Sequence, residues 1–208
     1  MKKIMSIFES IFSIGYLIFA FVTAYFFFIS NNYLCGILVL ILGIGDSFHL
    51  IPRTIRNIKG NIKDIEWWLG LGLKTSSITM TIFYIILYYI WYILYDLEIS
   101  IIIPILIWIT SLFRIIVCLF PQNNWYQKEG NQKWSLIRNI PFVIMGLLLI
   151  ILFIVSKNYQ ISIAITISFL CYIPVTLFAK KKPIVGMLMI PKTIAYIWMI
   201  CILFNLSK

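Results

Sequence analysis

An all-α bundle of seven membrane-crossing helices is the fold this sequence predicts, on three observations. Of the 208 residues 62% are apolar and only 12% charged, and the mean hydropathy of +1.00 is far above that of a soluble domain. Apolar stretches of about 20 residues, the length that crosses a roughly 30 Å hydrocarbon core, recur along nearly the whole chain. The Lys and Arg residues fall in alternate connections between those stretches. Nothing is left over for a separate soluble domain, so residues 1–208 read as one polytopic membrane domain.

The first span is expected near 10–29: the start MKKIMSIFES is basic and then apolar like a signal peptide, but no small-residue cleavage site follows it. The second, near 33–52, closes at Pro52-Arg53. Beyond it Ile55, Ile58, Ile62 and Ile65 alternate with Arg56, Lys59 and Lys63, a pattern that suits a helix lying on the membrane surface. The third, near 67–95, exceeds what a bilayer needs, so its first turns, Trp67 to Lys74, lie at the interface or the helix tilts. A fourth follows near 99–120. Arg138, Asn139 and Pro141 open a fifth near 139–156, with proline in the tolerated first turn. The sixth and seventh lie near 160–179 and 184–205, the last interrupted by Pro191.

Orientation follows from sorting the basic residues. The N-terminus (Lys2, Lys3) and the connections after spans two (Arg53, Arg56, Lys59, Lys63), four (Lys128, Lys133, Arg138) and six (Lys180, Lys181, Lys182) fall on one side, against Lys157 and Lys208 on the other. Short basic loops stay in the cytoplasm, so a cell-membrane protein with its N-terminus inside and its C-terminus outside is expected. The net charge of +10 then reads as a topology signal and an attraction to anionic lipid on the cytoplasmic side, with no nucleic-acid partner. The loop NNWYQKEGNQKW looks like an aromatic anchor at the interface.

Several chemistries are excluded by residue count. A single histidine rules out the His-Glu-x-x-His zinc motif, and Cys35, Cys118, Cys171 and Cys201 are widely spaced in apolar segments, reading as small buried residues. Neither a metal nor an organic cofactor is indicated. GDSF at 45–48 invites comparison with the Gly-Asp-Ser-Leu lipases, but those need a downstream Asp-x-x-His block that this chain lacks.

Ionisable residues within spans are costly and therefore functional candidates. Asp46 and His49 lie in span two, Lys74 in three, Arg114 in four and Lys192 in seven. Counted from the basic end of each span, Asp46, Lys74, Arg114 and Lys192 sit six to eight residues in, roughly 9 to 12 Å deep at 1.5 Å per residue. If their faces converge, that layer is an inward-facing site of one acid and three bases, with an excess of positive charge suited to phosphate. Asp46, His49 and Arg53 share one face of span two. The structural alternative pairs Asp46 with Lys74 and lets Arg114 and Lys192 reach for the interface on their long stems.

The run LGIGDSFHLIPR, with Gly45-Asp46 near the basic end of its span and Leu50-x-Pro52-Arg53 closing it, resembles the Gly-Asp block of the lysoplasmalogenase-like (YhhN-type) membrane proteins. Five spans follow that helix, Gly70 and Ser76/Ser77 sit in the next, and Lys180 to Lys182 precede the last. The resemblance covers roughly residues 36 to 205. It implies hydrolysis of the vinyl-ether bond of a lysophospholipid by acid–base chemistry between membrane aspartates, Asp46 matching the first. The second aspartate, expected in the penultimate span, has no counterpart in ISIAITISFLCYIPVTLFA, and the family's usual eight spans are here seven.

The sequence therefore carries two expectations. One is a lysoplasmalogenase-like hydrolase in which Asp46 acts as base or orients water, His49 is its proton partner, and Lys74, Arg114, Lys192 and Arg53 hold phosphate. The other is a non-enzymatic lipid-binding membrane protein or a small anion or metabolite transporter. For the transporter no internal repeat is evident in the sequence.

Overall fold

In hydrocarbon every backbone N–H and C=O must find its partner within the protein, and a helix supplies that locally. The computed structural model describes residues 2–60, 62–127, 130–179 and 182–206, and among them there are helices and no strand. The order is α1 (Lys2–Ile29), α2 (Tyr33–Lys59), α3 (Ile65–Tyr95), α4 (Ile102–Leu119), a 3-10 turn at Pro121–Asn123, α5 (Gln132–Val155), α6 (Tyr159–Phe178), a 3-10 stretch at Pro183–Leu188 and α7 (Met189–Leu206). Seven helices are long and apolar enough to cross a membrane, as expected. Of the basic residues that set the expected orientation, Lys128, Lys180, Lys181 and Lys208 lie outside the described residues.

At three prolines the helices depart from expectation. Pro52 does not end the second helix, which runs on to Lys59 and stops where Gly60 adopts a positive φ of 78°, its N–H donating to the Arg56 carbonyl. The first part of the segment expected on the membrane surface, through Ile55, Arg56, Ile58 and Lys59, is thus the end of α2, whereas Ile62 and Lys63 lie in the link and Ile65 opens α3. Pro141 lies well inside α5, because Asn131 caps that helix earlier, its side chain accepting from the Lys133 and Trp134 N–H groups. Pro191 breaks nothing: it sits in the first turn of α7, where a missing N–H is harmless.

A proline inside a helix leaves one carbonyl without its donor, and at Pro52 that carbonyl belongs to Phe48. α3 crosses there through Gly72, where any Cβ would run into the Phe48 carbonyl and the His49 backbone. Close backbone approach through small residues is how membrane helices gain packing where lipid is as apolar as the side chains. The α2–α3 contact is the most extensive in the molecule.

The molecule is also built twice. Laying FIVSKNY (153–159) on FFISNNY (27–33) matches Phe, Ser, Asn and Tyr, and both segments make the same turn. Asn31 and Lys157 are left-handed, the Asn32 and Asn158 N–H groups donate back to Phe27 and Phe153 at 2.9 Å, and both asparagines cap the next helix. With that alignment each buried position of α6 (161, 162, 164, 165, 168, 169) falls on a buried position of α2 (35, 36, 38, 39, 42, 43), while Gly45 and Pro52 of α2 have no buried counterpart. Likewise TIAYI (193–197) matches TIFYI (81–85), and each buried residue of α7 falls on a buried residue of α3. Contacts repeat as well, α3 meeting α5 as α7 meets α1, so α1–α3 and α5–α7 close a ring with α4 as the linker. The repeat that the sequence did not display is present in the fold.

These contacts predict a contrast between two glycines. Gly72→Ala should lower stability by about 1–3 kcal/mol, because the obstacle is backbone that cannot turn aside. Gly15→Ala, with nothing within 4 Å of an added Cβ, should be neutral or stabilise by up to about 1 kcal/mol. Thermal unfolding of the two variants in detergent reads the difference.

Candidate functional site

Asp46 stands where α1, α2, α3 and α7 meet. On α1, Glu9, Ser13 and Tyr16 follow i, i+4, i+7 spacing and present a polar edge to α2. The buried Tyr16 hydroxyl donates to Asp46 Oδ2 at 2.7 Å, and Ser76 Oγ of α3 donates to Oδ1 at 3.4 Å. The carboxylate is therefore held as an acceptor from two directions. It lines a cavity of about 50 Å³ together with Glu9, His49, Arg53, Lys192 and Thr193. That is room for water and not for a lipid.

Lys192, in the first turns of α7, is buried, with its ammonium over the rings of Tyr172 (5.0 Å) and Tyr196 (5.3 Å). It is in electrostatic reach of Asp46 without forming an ion pair with it; the pairs among the described residues are Arg53–Glu9 and Arg56–Glu66. Asp46, His49, Arg53 and Lys192 are thus brought to one cavity, as the depth count anticipated for Asp46 and Lys192.

Two of the expected cations stand apart. Lys74 is half-buried on α3, lines no cavity with Asp46 and lies within electrostatic reach of Cys118 of α4. Its expected pairing with Asp46 is not formed, because α3 presents Ser76, not Lys74, to α2. Arg114 is 1% exposed, but neither interfacial nor at the cavity. Its guanidinium lies over the Phe142 ring at 3.5 Å and donates from Nη1 to Thr81 Oγ1 at 3.2 Å, while Nε has no partner. The Tyr84 and Tyr196 hydroxyls and Ser168 face one another beside it without closing a hydrogen bond, a polar seam between the two halves of the ring.

The hydroxyls sort cleanly. Ser47 donates to the Ile44 carbonyl of its own helix at 2.7 Å, which leaves the lipase-like serine without a base. Ser77 and Thr79 likewise bond their own helix, and only Ser76 reaches the acid. Of the four cysteines, Cys35 and Cys118 are buried as expected, whereas Cys171 is half-buried and Cys201 exposed on the outside of the bundle.

Next to this cavity lies a larger one of about 270 Å³, which shares His49 and Arg53 with it. The loop expected to anchor at the interface forms its wall. The Asn123 side-chain amide donates to the Val117 and Phe120 carbonyls, and Trp125 Nε1 to the Cys118 carbonyl, so both satisfy the open C-terminal end of α4. Gly70 lets the Trp125 carbonyl sit directly on α3. Arg138 of α5 covers the Trp125 ring at 4.3 Å and donates to Asn123 Oδ1 at 2.8 Å and Ser135 Oγ at 3.2 Å. Of the aromatic anchors only Tyr126, stacked on Trp67, stays exposed.

Glu9, Tyr16 and Thr193 had no place in the sequence reading. The signal for the first two was the Glu9-Ser13-Tyr16 stripe, which continues as Ala20, Ala24 and Phe27 down the buried face of α1. Arg114, buried without an ion pair, gives a test: Arg114→Met, which keeps length and removes a buried charge, should leave thermal stability unchanged or raise it by about 1–4 kcal/mol. Arg114→Ala, which also empties the space above Phe142, should lower it. Comparison with family models, with curated proteins and with solved structures finds no match for the chain.

Proposed function

We propose that the chain is a membrane-embedded hydrolase of the lysoplasmalogenase-like kind. It cleaves the vinyl-ether bond of a lysophospholipid taken from the cytoplasmic leaflet of the cell membrane. The concentration of Lys and Arg at the end carrying Arg53, Arg56 and Arg138 supports that orientation, with the N-terminus inside and the C-terminus outside.

One observation carries the reading: a carboxylate oriented by Tyr16 and Ser76 on the wall of a water-sized cavity that also holds His49. Hydrolysis adds water across the vinyl ether. A proton goes to the second vinyl carbon, hydroxide oxygen to the carbon bearing the ether oxygen, and the hemiacetal collapses to an aldehyde and a free glycerol hydroxyl. Asp46 takes the proton from water, and His49, one turn along the same face, supplies the proton to carbon. The second acid of the pair is then not in the penultimate helix but on α1, where Glu9 lines the same cavity and holds Arg53.

A second reading, a carrier of a small anion or metabolite, is favoured by the repeat of α1–α3 in α5–α7, since parallel repeats recur in transporter folds. Aldehyde release from a lysoplasmalogen by purified protein separates the two. We expect turnover by the wild type, a loss of about 100-fold or more in Asp46→Asn, and a smaller loss in Glu9→Gln. A wild type that releases no aldehyde but moves solute across reconstituted vesicles would assign the chain to the carriers.

A further inference from the structure

The 270 Å³ cavity beside Asp46 has no role in bond breaking, yet it is the better-built of the two. Among the described residues, three arginines from two helices, Arg53 and Arg56 of α2 and Arg138 of α5, line it against one acid, Glu66. Arg138 is held in place over the Trp125 ring and tied to Asn123 and Ser135, and those two bonds use only part of a guanidinium's five donors. Arg56 is loosely held, 3.9 Å from Glu66 and half-exposed, free to turn inward. Arg53 lines both cavities, with Glu9 on the far side.

We propose that this cavity is a phosphate-binding site, taking the phosphodiester of a lysophospholipid headgroup between Arg56 and Arg138. Forked guanidinium donors match phosphate oxygens in pairs, which ammonium groups do not. The position suits the substrate's shape. With the phosphate among the arginines, the glycerol ether linkage, a few bonds away, reaches past His49 and Arg53 towards the Asp46 cavity, and the chain leaves between helices into lipid. The phosphate cations are therefore Arg53, Arg56 and Arg138; Lys74 and Arg114 face elsewhere. The headgroup assignment rests on the hydrolase reading, whereas the phosphate site itself does not.

Binding, not turnover, tests it. Isothermal titration of the full chain in detergent would compare a saturated 1-O-alkyl lysophosphatidylethanolamine, which has no vinyl ether to cleave, with the 1-O-alkylglycerol of the same chain length. The phospholipid should bind at least tenfold tighter, and Arg56→Gln and Arg138→Gln should each remove about tenfold of its affinity and leave the alkylglycerol unchanged. Lys59→Gln, a nearby cation outside the cavity, should change neither. Equal affinity for the two lipids, or Arg56→Gln binding like the wild type, overturns the site; Arg56 is on the surface, so that variant stays informative if Arg138→Gln does not fold. Inorganic phosphate or glycerophosphoethanolamine binding as tightly as the lipid would uphold the phosphate site and assign it to a soluble ester. Tight binding without aldehyde release from a lysoplasmalogen would overturn the hydrolase and keep the site.

Discussion

The architecture turns on one backbone contact, the passage of Gly72 over the carbonyl that Pro52 leaves open on Phe48. A proline in a membrane helix exposes a strong acceptor to a solvent that cannot satisfy it. Here the exposed group lies under the closest approach of the neighbouring helix. The same contact sets the register of α3 on α2, placing Ser76 within reach of Asp46 and turning Lys74 towards α4. It also lies beside His49, so the two cavities on either side of that residue share one rigid wall.

The doubled architecture makes the site's asymmetry informative. The position equivalent to Asp46 is Tyr172, that of Tyr16 is Phe142, and that of Lys192 is Met80. In one half a tyrosine donates to a carboxylate; in the other the tyrosine is on the second helix and donates to Asn139 at 2.8 Å. Arg114, contributed by the linker helix, occupies the second half by lying on Phe142. Both halves thus hold polar groups at one depth, and only the first is arranged around an acid. Where they meet, Tyr84 and Tyr196 occupy matching positions and face each other.

Composition and period sufficed for the number of helices and their order, because about 20 apolar residues in lipid have almost no alternative to a helix. Helix ends were less legible. A proline reads as a break, yet Pro52 and Pro141 sit inside helices, and Asn131 started α5 earlier than hydropathy did. In the site, a depth count could find Asp46 and Lys192 but not the rotation of each helix, which decided against Lys74. Glu9 was overlooked because it pairs with Arg53 from a helix that otherwise reads as a plain first span. The repeat was hidden because α6 and α7, of 20 and 18 residues, are shorter than α2 and α3, of 27 and 31, so a single alignment offset loses the third helix; most matched positions are also simply apolar.

What keeps Asp46 usable is the manner in which the surrounding cations are neutralised. A half-buried carboxylate beside lysine and arginine would ordinarily close an ion pair and be consumed as structure. Here each cation is engaged elsewhere. Lys192 rests on the faces of two tyrosines, Arg114 on Phe142, and Arg53 is taken by Glu9. Aromatic faces stabilise a desolvated cation without presenting an oxygen. The hydrogen bonds Asp46 accepts come from neutral hydroxyls, which orient it and leave acceptor capacity on both oxygens for a water in the cavity. An acid arranged in this way is positioned for proton transfer rather than for holding helices together.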